Sequence, residues 1–218
     1  MVASPQHVTL CGKKLKGLRH VCAFFASEEE MYEVLNPYLK EGIDVGDQVV
    51  TILESHSHTD HLAHLNEAGI EVFEAMARDQ LKVLASEDSY IKDNVFVVER
   101  MYEMLREAID GAEKSEFKHI RTMGDMYWAL RNCPGTEDLI QYEARVNLLA
   151  PEHDCTLLCA YDLNQFSGRV IADVLATHSH VILGGEIHEN PYYVDPVVYL
   201  QKLALRRKPE SPVRMSRR

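Results

Sequence analysis

His20-Val21-Cys22-Ala23-Phe24-Phe25-Ala26-Ser27-Glu28-Glu29-Glu30 opens a pattern that repeats to the end of the chain. Residues 20–25 are rich in aromatic and branched side chains and read as a strand. Ser27 then offers an N-cap oxygen, and the three glutamates after it place negative charge where a helix amino terminus favours it. The spacing predicts a helix to about Glu41, stopped at Gly42. Val45-Gly46-Asp47 turns the chain into a second strand, Gln48 to Leu53, followed by a helix from about Thr59 to Ala68 that ends at Gly69. Strand, helix and strand in this order make the unit of a parallel sheet, whose strands need a crossover between them.

The alternation continues through a short strand at 81–85 and a helix over 97–114, with Val98, Met101, Leu105 and Ile109 at steps of three and four. A strand at 119–123, a helix over 136–149, a strand at 156–161, a helix over 168–177, a strand at 181–187 and a last helix from about Pro196 to Leu205 complete it. The expected fold is a three-layer α/β/α sandwich around a mainly parallel sheet.

The 218 residues, 46% of them hydrophobic, suffice for one sizeable core, and no repeat, low-complexity tract or linker divides them. Apolar runs such as Val181-Ile182-Leu183 fall far short of the roughly 20 residues of a membrane span, and the amino terminus lacks the pattern of a secretory signal. Cys11, Cys22, Cys133, Cys155 and Cys159 form an odd set without a CxxC pair, which fits free thiols in a reducing, cytoplasmic setting. A net charge of −11 argues against direct nucleic-acid binding. The basic run Arg206-Arg207-Lys208 with Arg214, Arg217 and Arg218 reads as a solvated, disordered tail.

The most conspicuous motif is His56-Ser57-His58-Thr59-Asp60-His61. It matches the HxHxDH pattern of metallo-β-lactamase-like zinc hydrolases, in which imidazoles and a carboxylate gather metal that activates water. His119, Asp162 and His188 could serve as its more distant ligands. That fold, however, brackets the motif with antiparallel hairpins, whereas helices separate the strands here. The other reading is a polar strand-to-helix junction in which Thr59 or Asp60 caps the helix and His61, Leu65 and Ala68 share a face.

A phosphate-binding GxxxxGK[ST] loop would have to follow the first strand, but Ala26-Ser27-Glu28-Glu29-Glu30 stands there, and its carboxylates repel a triphosphate. His20 and Cys22 share one strand face, as ligand contacts, a metal-binding pair or plain core. Asp125 and Trp128, just after a strand, join a carboxylate to aromatic surface, and Tyr161-Asp162 ends another strand, where open parallel sheets bind ligands. Tyr142-Glu143-Ala144-Arg145 reads as local ion pairing on a solvated helix face or as a binding element.

Over residues 18–205 the chain resembles the MEDS sensory domains, named for methanogens, methylotrophs and a dichloromethane-responsive regulator. The resemblance is carried by His20-Val21-Cys22, Gly46-Asp47, His61-Leu62, Trp128-Ala129, Tyr142 to Asn147, Cys159-Ala160-Tyr161-Asp162, Thr177-His178 and Glu189 to Tyr193. It implies a RecA/KaiC-like core without its nucleotide loop, a non-catalytic role in sensing simple hydrocarbon derivatives, and prokaryotic signalling or transcription control. Members are often fused to a kinase, an anti-sigma-type ATPase or a DNA-binding domain. The expected arrangement is an extension at 1–17, a sensory domain at 18–205 and a tail at 206–218. A small organic ligand would contact His20, Cys22, Ser27, His56, Asp125, Trp128, Tyr161 and Asp162 without a cofactor. Output would pass to a partner such as a kinase, an anti-sigma-type protein or a transcription regulator, or through self-association.

Overall fold

The computed structural model describes residues 7–117 and 119–206. A hairpin of β1 (His7–Leu10) and β2 (Lys13–Lys16) leads, within the expected extension, into β3 (His20–Phe25). There follow α1 (Glu28–Val45), β4 (Gln48–Leu53), α2 (His58–Glu67), α3 (Val72–Ala77), β5 (Leu81–Ala85) and α4 (Val98–Lys114). The chain continues as β6 (Ile120–Asp125), α5 (Leu139–Leu149), β7 (Cys155–Asp162), α6 (Gly168–Thr177), β8 (His180–Leu183), β9 (Glu186–Glu189) and α7 (Pro196–Arg206).

Seven strands form the central sheet in the order β5-β4-β6-β7-β3-β8-β9, all parallel except the last pair. Its middle strands bury both faces, so β3, β4 and β7 read as almost continuous apolar runs. One face carries α1, α2, α3 and the hairpin, with Leu35, Leu39 and Leu65 at the centre of that layer. The other carries α4, α5 and α6, with Met101, Ile109, Val146 and Val174 against the sheet, and α7 packs on α5. This is the expected three-layer architecture.

Two expected boundaries move for physical reasons. Helix α1 passes through Gly42 and ends at Gly46, which adopts the left-handed conformation (φ +85°) of a helix C-cap. Gly42 serves packing instead: a Cβ there would stand 2.9 Å from both Arg121 Cδ and Val49 Cγ2. The single strand expected over 181–187 is a hairpin, because Gly184 and Gly185 both take positive φ (+57° and +72°), as a two-residue turn of this hand requires.

The Arg121 guanidinium that Gly42 admits is itself buried. It bonds Asp47 and Glu41 at 2.6 Å and the Tyr38 carbonyl at 3.1 Å, fastening α1 and its exit turn to β6. Arg206, first of the basic run, closes α7 with a 2.7 Å bond to Asp173. Residues 207–218 of the expected tail lie outside the described residues, as do residues 1–6.

Candidate functional site

After β3 the chain leaves along α1 on one face and runs towards β4; after β7 it leaves along α6 on the other face and runs towards β8. Such a divergence between neighbouring parallel strands opens a crevice at their carboxyl ends. A cavity of about 250 Å³ lies there, at the ends of β3, β4, β6 and β7. It unites Ser27, His56, Asp125, Tyr161 and Asp162 of the residues expected from sequence.

Ser27 caps α1, its Oγ accepting the Glu30 N–H at 3.1 Å. Asp125 accepts the Tyr127 N–H at 3.0 Å, and Asp162 the Asn164 N–H at 2.7 Å, so each loop is tied to the carboxylate ending its strand. Burial, reinforced by the nearby Glu54 and Asp162 carboxylates against the opposing pull of the Tyr127 N–H and His56, pushes the Asp125 pKa up to about 6. Glu28, Tyr32 and Glu54 also line the cavity, with Phe25, Met31, Leu53 and Met123 as apolar surface. The sequence reading missed these, although Glu54 directly follows a strand and Glu28, Met31 and Tyr32 are spaced to share one helix face. Glu54 is braced by Arg131, which also bonds Glu87 at 2.7 Å.

Trp128, expected to line the cavity, does not. The short 3-10 turn Met126–Leu130 carries it into the core, where its ring lies 4.8 Å from Tyr90 in a stacked arrangement and 4.4 Å from Phe96. Nor do His20 and Cys22 reach the cavity, because their side chains join the core on the α4–α6 side of the sheet. The Cys22 thiol lies 3.7 Å from the His180 carbonyl and donates to it.

The 56–61 motif does not gather its side chains. His56 is exposed beside Glu54, and Thr59 and Asp60 sit inside the first turn of α2 while Ser57 holds the N-cap position, so neither is the cap expected of it. His61 is fully buried with both ring nitrogens engaged, at 2.9 Å from the Tyr32 hydroxyl and 3.0 Å from Thr51 Oγ1. Burial and the neighbouring His58 and His64 push its pKa down to about 4. Of the proposed distant ligands, Asp162 shares the edge cavity with His56, but the other two lie apart: His119 is buried against Thr156 and Asp154, and His188 is on the outer strand beside Glu186.

Among the described residues, two groups of three or more His, Cys, Asp or Glu bring donor atoms within 4.8 Å of one another. Asp110, Glu113 and His153 form one at the surface; His20, Glu143, Cys159 and His178 form the other, fully inside the core. Glu143 thus has no part in the helix-face pairing expected for 142–145, and Arg145 reaches Glu99 at 2.7 Å instead.

The family model described as MEthanogen/methylotroph, DcmR Sensory domain (MEDS) matches residues 19–179. The chain belongs to the MEDS family. It is similar to the transcriptional repressor DcmR of Methylorubrum extorquens, with 26% identity over 160 residues that make up 73% of this chain and 57% of the repressor. The chain therefore spans little more than half the length of that relative. Among solved structures it resembles a KaiC-like protein of Pyrococcus horikoshii, with a TM-score of 0.60 over 81% of this chain and 80% of the other. At 10% identity that likeness shows the fold alone, and it bears out the expected RecA/KaiC-like core. No described helix of this MEDS domain is long and apolar enough to cross a membrane.

Proposed function

We propose that this MEDS domain is a non-catalytic sensor whose cavity at the carboxyl edge of the sheet binds a small organic molecule bearing a hydrogen-bond donor, and that binding sets the state of a transcription regulator or signalling partner. The observation that carries the reading is the cavity itself: polar residues from four strand ends converge where a parallel sheet diverges, over a floor containing Met31, Met123 and Leu53. Its carboxylates, Glu28, Glu54, Asp125 and Asp162, accept hydrogen bonds and repel phosphate, which favours an alcohol- or amine-type derivative of a simple hydrocarbon over a nucleotide.

The family supports sensing, and the repressor relative supports transcription control as the output. Output through a separate partner or through self-association follows population-shift logic: the ligand acts only as far as it prefers one state of the domain.

A thermal-shift screen of short-chain alcohols, amines and their halogenated analogues tests the reading. A true ligand raises the melting temperature of the wild type and loses that effect in Asp125→Ala, while Trp128→Ala lowers the basal melting temperature. A ligand effect that survives Asp125→Ala at full size contradicts the site, and hydrolysis of a screened compound contradicts the non-catalytic assignment.

A further inference from the structure

The buried group formed by His20 on β3, Glu143 on α5, Cys159 on β7 and His178 after α6 lies between the sheet and its α4–α6 layer, apart from the ligand cavity. Three of the four residues are at most 2% exposed, and Cys159 is 7% exposed.

The surroundings fix the tautomers of both imidazoles. His178 Nδ1 lies 2.8 Å from the Val174 carbonyl, which can only accept, so the ring proton sits on Nδ1. Asn147 Nδ2 donates to the carbonyls of Glu143 (3.0 Å) and Thr177 (2.6 Å), which leaves Asn147 Oδ1 as the acceptor for His20 Nδ1 at 3.2 Å. In the neutral imidazoles both Nε2 lone pairs therefore face inward, and His178 Nε2 has no hydrogen-bond partner among the described residues. They converge on Glu143 Oε2, at 3.1 Å from His20 and 3.5 Å from His178. Two lone pairs aimed at a carboxylate oxygen repel one another unless a cation joins them.

The remaining geometry matches a tetrahedral ion. Cys159 Sγ is 3.4 Å from His20 Nε2 and 3.6 Å from Glu143 Oε2. Bonds of about 2.0–2.1 Å to nitrogen and oxygen and about 2.3 Å to sulfur around one zinc ion give donor-to-donor edges of about 3.3–3.6 Å. The outer contacts also suit a metal site, since each imidazole gives its second nitrogen to an oxygen acceptor and the Tyr161 hydroxyl donates to the other Glu143 oxygen.

We infer that His20, Glu143, Cys159 and His178 bind a single divalent cation of the zinc class. Binding forms the metal–sulfur bond as the Cys159 S–H proton leaves to solvent. The thiolate and the carboxylate then neutralise the ion, so no net charge is buried.

The full chain, reduced, stripped of metal and refolded from urea with Co2+, tests this. One equivalent of cobalt is expected, with the near-ultraviolet band of a cobalt–thiolate bond and the visible bands of a tetrahedral ion, displaced by Zn2+. Cys22→Ala and Cys155→Ala keep this spectrum; Cys159→Ala loses the thiolate band, and His178→Ala weakens binding by about tenfold or more. The wild-type spectrum decides even if a variant fails to fold. A folded wild-type chain that stays colourless with Co2+ overturns the inference and leaves a proton alone to join these groups. A thiolate band that survives Cys159→Ala, or disappears in Cys22→Ala, overturns it as well.

Discussion

The two histidine groups of this MEDS domain invert what their spacing suggests. His56, His58 and His61 stand within six residues beside Asp60, yet His56 faces solvent and His61 is held by Tyr32 and Thr51. His20, Glu143, Cys159 and His178 are scattered over most of the chain, and parallel strands and their crossover helices deliver them to one point. Short sequence spacing brings donors together only when the local backbone aims them at one place, whereas neighbouring strands in register do so at any separation. Cys22 pairs with Cys159 in that register, two residues along the same strand face from His20.

Breaking the scattered group is expected to have the largest effect. Glu143→Ala leaves the Tyr161 hydroxyl without its buried acceptor and both inward-facing imidazoles without the carboxylate, and should cost about 3–5 kcal/mol in urea unfolding. A loss below about 1 kcal/mol would mean that the group is slack. His61→Ala comes next, at about 2–3 kcal/mol, from lost packing and from the unpaired Tyr32 and Thr51 hydroxyls, with metal content unchanged.

The His61 comparison sharpens with pH. Its imidazole titrates at about 4 when folded and near 6.5 when unfolded, so the unfolded chain binds the proton first. The stability that this difference confers is complete above about 6.5 and is lost as pH falls towards 4, amounting to about 2 kcal/mol between pH 7 and 5. Wild type should show that loss and His61→Gln should not, in paired urea titrations at the two pH values.

Asp125 has the opposite sign and a smaller effect. Its folded pKa of about 6 lies above the unfolded value, so the folded state holds its proton more tightly, an advantage complete below about 4 and lost as pH rises through 6. Asp125→Asn is therefore expected to raise stability by about 1–2 kcal/mol at pH 7.5, to change little at pH 4, and to blunt the ligand response. Smallest of all, exposed Asp60→Ala should stay within about 0.5 kcal/mol of wild type in the same assay.

Most of the architecture was legible because period and composition agree: the helix at 98–114 shows its buried stripe at Val98, Met101, Leu105 and Ile109, and the Ser27 cap stands where expected. The edge cavity was legible through one topological rule, which found Asp125 and Asp162 and, applied to β4, would have found Glu54. Trp128 escaped because its position is set by Tyr90 and Phe96, from a segment between β5 and α4 without periodicity. Glu143 escaped because a carboxylate beside an arginine invites pairing at the surface. Its spacing from Leu139 and Val146, both buried, already placed it on the core face of α5.

Ligand sensing at the sheet edge is tested most directly by methyl NMR of 13C-methionine-labelled protein titrated with a stabilising alcohol or amine from the screen. Met31 and Met123 line the cavity, while Met101 and Met104 line a separate apolar pocket under α4. Binding should shift the Met31 and Met123 signals saturably and leave the other two in place, with no shift in Asp125→Ala. Saturable shifts confined to Met101 and Met104 would place the ligand under α4 and contradict sensing at the edge.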